Sequence, residues 1–141
     1  MIPSQGIVAP IDTCRVVDRA LLPPSDVRRT CYWTSGAGLT TTTGTTVLVG
    51  QPDWFGYGPA ALGGASGLHP GDRLATSGAG RTVTDWRVVW VGERPKADGV
   101  DPAAFVGASG PRRLYLITAG GRYDAERRTY LDNVYVLAVP D

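Results

Sequence analysis

The sequence predicts an all-β fold, a closed barrel of about eight strands with one or two short helices. Three observations predict it. Glycine (19) and proline (11) fill about a fifth of the 141 residues, a density that favours short elements joined by turns over long helices. Short apolar and β-branched runs recur between those turns, as strands do. The length suits a single domain over residues 1–141, able to bury roughly 68–70% of its unfolded surface without a metal or a disulfide network.

In chain order, the first strand is expected over residues 6–11, fenced by Pro3 and Pro10. The threonine-rich run from Thr40 to Thr46 leads into Val47-Leu48-Val49, a turn entering a buried strand, because threonine is a good strand former. Residues 73–76 form a strand after the turn His69-Pro70-Gly71-Asp72. Residues 82–91 make the longest strand, with Trp86, Val88 and Trp90 on one face and a partly exposed opposite face. A helix start is expected at Asp101-Pro102-Ala103-Ala104-Phe105, with Asp101 as N-cap and Pro102 at the first helical position. Residues 114–118 and 134–138 are nearly continuous apolar runs, the pattern of strands covered on both faces. The turn Ala119-Gly120-Gly121 is expected to end the first of these.

Fourteen basic and thirteen acidic residues leave a net charge of +1, which argues against nucleic acid or an anionic membrane surface as the main partner. The pairs Arg28-Arg29, Arg112-Arg113 and Arg127-Arg128 read as solvated turn residues. No stretch approaches the roughly 20 apolar residues of a membrane span, and Met1 to Gly6 lacks a signal-peptide pattern. The expectation is a soluble protein, or a chain that follows a removed leader or anchor. Cys14 and Cys31 stand 17 positions apart. A bridge between them would contribute about 3 kcal/mol and imply an oxidising compartment; two buried thiols are the alternative, and the residues leave both open. Two cysteines and one histidine, His69, have no metal-ligand spacing, and nothing calls for a cofactor.

Three segments carry a family resemblance. The first is Ile2-Pro3-Ser4-Gln5-Gly6-Ile7-Val8-Ala9-Pro10-Ile11. The second is Thr45-Thr46-Val47-Leu48-Val49-Gly50-Gln51-Pro52-Asp53, followed by Leu68-His69-Pro70-Gly71-Asp72-Arg73-Leu74. The third is Leu114-Tyr115-Leu116-Ile117-Thr118-Ala119-Gly120-Gly121-Arg122-Tyr123-Asp124, then Tyr130-Leu131-Asp132-Asn133-Val134-Tyr135-Val136. In order and spacing these resemble the sortases, cysteine transpeptidases of Gram-positive envelopes, and most of all the small actinobacterial class F. The patterns are I-P-x-I-G-V-x-A-P-V, G-T-x-V-x-x-G-H-x-D with L-x-P-G-D-x-V, and L-T-L-I-T-C-G-G-x-F-D with Y-x-D-N-V-x-V.

The resemblance implies a barrel in which a cysteine thiolate attacks a sorting-signal peptide. A histidine serves as acid and base, and an arginine steadies the oxyanion. It places Ala119 at the cysteine position and Gln51 at the histidine position, neither of which supplies that chemistry. The arginine position falls at or near Asn133. Of the nearby Arg122, Arg127 and Arg128, Arg122 is the expected substitute. Trp54, Phe55 and Tyr57, together with Thr118 and Arg122, are the candidate binding residues, the three aromatics offering stacking faces beside the cleft. His69 is expected to be a turn residue away from it.

Three functions fit these residues. One is an inactive sortase-like domain that binds a sorting-signal-like peptide or a protein partner. The second is an active-site mutant (Cys to Ala, His to Gln) of a genuine transpeptidase that anchors proteins to the cell wall. The third is a purely structural barrel in a surface or virion assembly. The expected location is outside the cytoplasm, at the cell surface or in a phage particle, with the cytoplasm still open.

Overall fold

The computed structural model describes residues 1–54 and 58–141. Strands form where β-branched and aromatic residues run together. They are β1 (Ile11–Thr13), β2 (Arg15–Val17), β3 (Ala20–Leu22), β4 (Thr30–Tyr32) and β5 (Thr45–Gly50) in the first half. The second half adds β6 (Arg73–Ser77), β7 (Val83–Pro95), β8 (Arg113–Asp124) and β9 (Thr129–Pro140). Seven of them make one curled sheet in the order β1-β4-β5-β8-β9-β7-β6, while β2 and β3 pair only with each other.

The edges of the large sheet are joined by chain rather than by direct strand pairing. The Ala75 N–H of β6 donates to the Met1 carbonyl, and the Thr30 N–H of β4 donates to the Pro10 carbonyl, so residues 1–10 cross the seam. Ile2 is buried there against an interior that includes Leu48, Leu74, Trp86, Leu116 and Val136. A second cluster, with Val47, Val49, Tyr115, Ile117 and Tyr135, covers the opposite face of β5, β8 and β9. The apolar continuity of these central strands follows from that double cover. β5 and β8 run parallel, setting Val49 beside Ile117. β8 and β9 form an antiparallel hairpin in which Ala119 stands opposite Asn133.

Several expectations are revised. Of residues 6–11 only Ile11 joins the sheet; Pro3 starts a 3-10 turn and Gly6, at φ 63°, folds the chain back so that Ile7 bridges Ile2. A bulge between Val88 and Trp90 adds a residue to β7 and reverses its faces. Trp86 and Val88 are buried as expected, but Trp90 is 43% exposed and Val91 packs on the core in its place. Gly120-Gly121 does not end β8. A second bulge lies between Gly120 and Tyr123, and Gly121, at φ 71°, supplies the backbone freedom for the strand to continue to Asp124.

The helices are single 3-10 turns. Asp101 caps the one at Pro102–Ala104, its carboxylate accepting from the Ala103 N–H at 3.0 Å, but the turn goes no further. Arg112 is not a solvated turn residue. It donates to the Thr46 hydroxyl (2.8 Å) and the Gly38 carbonyl (3.0 Å), and its guanidinium lies 4.8 Å from the centre of the Trp86 ring. Burial lowers its pKa from the ordinary arginine value. Cys14 and Cys31 form a disulfide, which resolves the two readings of that pair. No helix among the described residues is long and apolar enough to cross a membrane.

Candidate functional site

The outward side chains of β5, β8 and β9 form the base of a groove of about 620 Å³, where Val49, Ile117, Ala119 and Asn133 share one face. The β2–β3 hairpin lines another part of it with Val16, Ala20 and Leu21. Cys14, immediately before β2, ties this hairpin to the buried Cys31 of β4. Phe105, in edge contact with Trp33 at 5.2 Å between ring centres, contributes further apolar surface, as does Val100.

Several polar groups of the groove have identifiable partners. Gln51 follows β5 directly, and its side-chain amide donates to the Pro24 carbonyl at 3.2 Å. The hydroxyl of Thr118 is buried and donates to the Gly50 carbonyl at 2.8 Å, which ties β8 to the end of β5. Tyr130 donates its hydroxyl to the Asp53 carboxylate and meets Tyr123 edge-on at 5.1 Å. The bond to Asp53 is the main cause that raises the Tyr130 pKa, since it favours the protonated phenol. Lys96 donates to the Thr129 hydroxyl at 3.1 Å. Desolvation lowers its pKa, and the Asp132 charge opposes that shift.

The structure brings Ala119, Gln51, Asn133 and Thr118 to this one groove. Arg122 is exposed and is not among the residues that line it, whereas Arg128 is. β8 runs on through Gly120-Gly121 to Asp124, so the hairpin turn lies at residues 125–128, next to Arg128. Trp54 is half exposed, with its N–H donating to the Gly58 carbonyl, and is not among the lining residues. Phe55 and Tyr57 lie outside the described residues. His69 sits on an exposed turn, where its N–H donates to the Asp72 carboxylate, and is likewise absent from the lining.

Sequence reasoning missed Arg19, Lys96, Tyr130 and Asp53 as groove residues. Lys96 had one available signal, being the only lysine in the chain, and Asp53 and Tyr130 belong to the matched segments. Among the described residues no cluster of His, Cys, Asp and Glu is placed to hold a metal ion. Ala119 stands at the base of the groove, and there is no free cysteine among the described residues.

No protein-family model matches the chain, and no curated protein was found to match it in sequence. Solved structures do match. Sortase C1 from Streptococcus agalactiae superposes with a TM-score of 0.73 at 11% identity, over 100% of this chain and 65% of that one. Sortase C-1 from Actinomyces oris gives 0.70 at 16% identity, over 100% and 71%. Sortase E1 from Streptomyces coelicolor, solved with a tripeptide in its active site, gives 0.68 at 14% identity, over 100% and 85%. The chain therefore spans a little under two thirds of the length of the streptococcal protein. At these identities the likeness establishes a sortase-like fold.

Proposed function

We propose that this chain is a sortase-like domain of the small class F type that binds an extended peptide without performing acyl transfer. One observation carries the reading: a groove of about 620 Å³ has Ala119, Gln51 and Asn133 at the positions the resemblance assigns to the cysteine, histidine and arginine. Alanine has no nucleophilic atom, and a glutamine amide exchanges no proton near neutral pH. The apolar base and hairpin wall suit peptide side chains, since such sites are mostly apolar with a few placed polar groups. The Cys14–Cys31 bridge supports an oxidising, extracytoplasmic compartment.

The test is to incubate the purified protein with sorting-signal peptides and follow both partners by mass spectrometry. The expected result is intact peptide and unmodified protein. A cleaved peptide or an acyl adduct sinks the reading. A second measurement asks whether the old geometry persists. Ala119→Cys combined with Gln51→His should give a thiol that alkylates at a lower pH than the roughly 8.5 midpoint of an ordinary cysteine. Alkylation like a free exposed cysteine would show that the groove has drifted from its catalytic shape.

A further inference from the structure

The charges around the groove are lopsided. Arg19, Lys96 and Arg128 line it against one lining carboxylate, Asp53, which already accepts the Tyr130 hydroxyl; Asp132, outside the lining, is the further carboxylate that acts on Lys96. The chain as a whole is nearly balanced, with 14 basic and 13 acidic residues, so the excess is local. Five arginines elsewhere pair with aspartates: Arg28 with Asp26, Arg29 with Asp12, Arg73 and Arg87 with Asp141, and Arg127 with Asp124. Of the arginines without an aspartate partner among the described residues, Arg19 and Arg128 line the groove, whereas Arg15, Arg81, Arg94, Arg112, Arg113 and Arg122 do not. Lys96 is coupled to Thr129, the neighbour of Arg128, so two of the three cations belong to one end of the groove.

The backbone beneath the two arginines adds to this. Arg19 (φ 65°) ends the β2–β3 turn and Arg128 (φ 51°) ends the β8–β9 turn. Both conformations favour glycine or asparagine over a long side chain. Arg81 shares this backbone region (φ 61°) without lining the groove. What distinguishes the other two is that separate turns deliver their side chains to one groove.

We infer that the groove is specific for acidic peptide segments in which an aliphatic residue lies within a few positions of an aspartate or glutamate. The aliphatic side chain rests on Val49, Ile117 and Ala119, and the carboxylate meets Arg128 and Lys96, with Arg19 reinforcing the field from the hairpin. This inference rests on the peptide-groove reading and adds the chemistry of the occupant.

An array of immobilised random decapeptides, probed with the intact protein at low and high salt, tests it. The bound set should be enriched in Asp and Glu within a few positions of Leu, Ile or Val, and binding should weaken as salt rises. Lys96→Gln with Arg128→Asn should bind a resynthesised acidic hit about tenfold more weakly, with each single change costing less. Asparagine suits the left-handed backbone, so Arg128→Asn and Arg19→Asn should melt no lower than the parent while losing acidic preference. Bound peptides without acidic enrichment, or an unchanged affinity in the double variant, overturn the inference and leave the peptide groove standing. If the parent protein binds no peptide on the array, the groove reading falls and takes this inference with it.

Discussion

The Cys14–Cys31 bridge should contribute about 3 kcal/mol to stability, because the loop it closes has little else to order it in the unfolded chain. The bridge joins positions 17 apart, and a loop of that size loses about 10 cal/mol/K of closure entropy on the chain-entropy model, hence about 3 kcal/mol at 25 °C. Within the loop, β2 and β3 pair only with each other and join no larger sheet. At about 2.1 cal/mol/K per residue, a chain of 141 residues has an unfolding entropy near 0.3 kcal/mol/K, so the loss corresponds to a fall of about 10 °C in Tm. The perturbation is Cys14→Ala with Cys31→Ala, which leaves no lone thiol and puts no hydroxyl at the buried Cys31 position. Differential scanning calorimetry reads the change, and the parent protein in reductant should melt near the variant. A shift under about 3 °C in both experiments would refute the reasoning, and would mean that packing alone orders the segment. The same variant should bind groove ligands more weakly even well below its Tm, since Val16, Ala20 and Leu21 on the hairpin line the groove.

Thr76→Val should cost about 1–3 kcal/mol in urea denaturation, because it removes the acceptor (2.9 Å) of the fully buried Trp86 indole N–H; Thr76→Ser should recover most of the loss. Gly44→Ala should destabilise by at least about 2 kcal/mol, since Gly44 sits at φ 80° and an added Cβ would lie 2.3 Å from the Ala108 carbonyl; a wild-type urea midpoint would overturn that account. Hydrogen bonds from Arg29, Arg28 and Arg127 are the main cause holding Asp12, Asp26 and Asp124, respectively, below the usual carboxylate range. Depressed folded pKa values give stability that is complete above the unfolded value of about 3.9 and is lost as pH falls through the folded values. Tm should therefore hold from about pH 7 to pH 5 and decline below about pH 4, modestly because these pairs are exposed; a Tm that rises below pH 4 would contradict the sign.

The central strands were legible because local pattern and tertiary role agree. Val47-Leu48-Val49, Leu114 to Thr118 and Val134 to Ala138 are apolar on both sides, and both sides are covered. The short strands β1 to β4 were not, because three residues hold too little periodicity to register, and β1 finds its partner β4 across the whole β2–β3 hairpin. The face of Trp90 was misread for a different reason. Strict alternation is broken by the bulge after Val88, and a bulge without a glycine at its centre leaves no mark in composition. A Gly-Gly pair, conversely, looked like a stop for β8 and instead let the strand pass close to its neighbour, since a Cβ on Gly121 would lie 2.3 Å from an Asp132 carboxylate oxygen.

The groove divides along the same line. Ala119, Gln51, Asn133 and Thr118 lie in or beside strands, so an ordered set of motifs was enough to bring them together, and register does the rest by setting Ala119 opposite Asn133. The charged rim comes from turns and a strand end: Arg19 after β2, Lys96 after β7, Arg128 before β9. Where such side chains point depends on where the hairpin turns, and with β8 continuing to Asp124 it is Arg128, not Arg122, that lines the groove. The residues at the base of the groove are thus readable from sequence, whereas the charges around it depend on turn geometry.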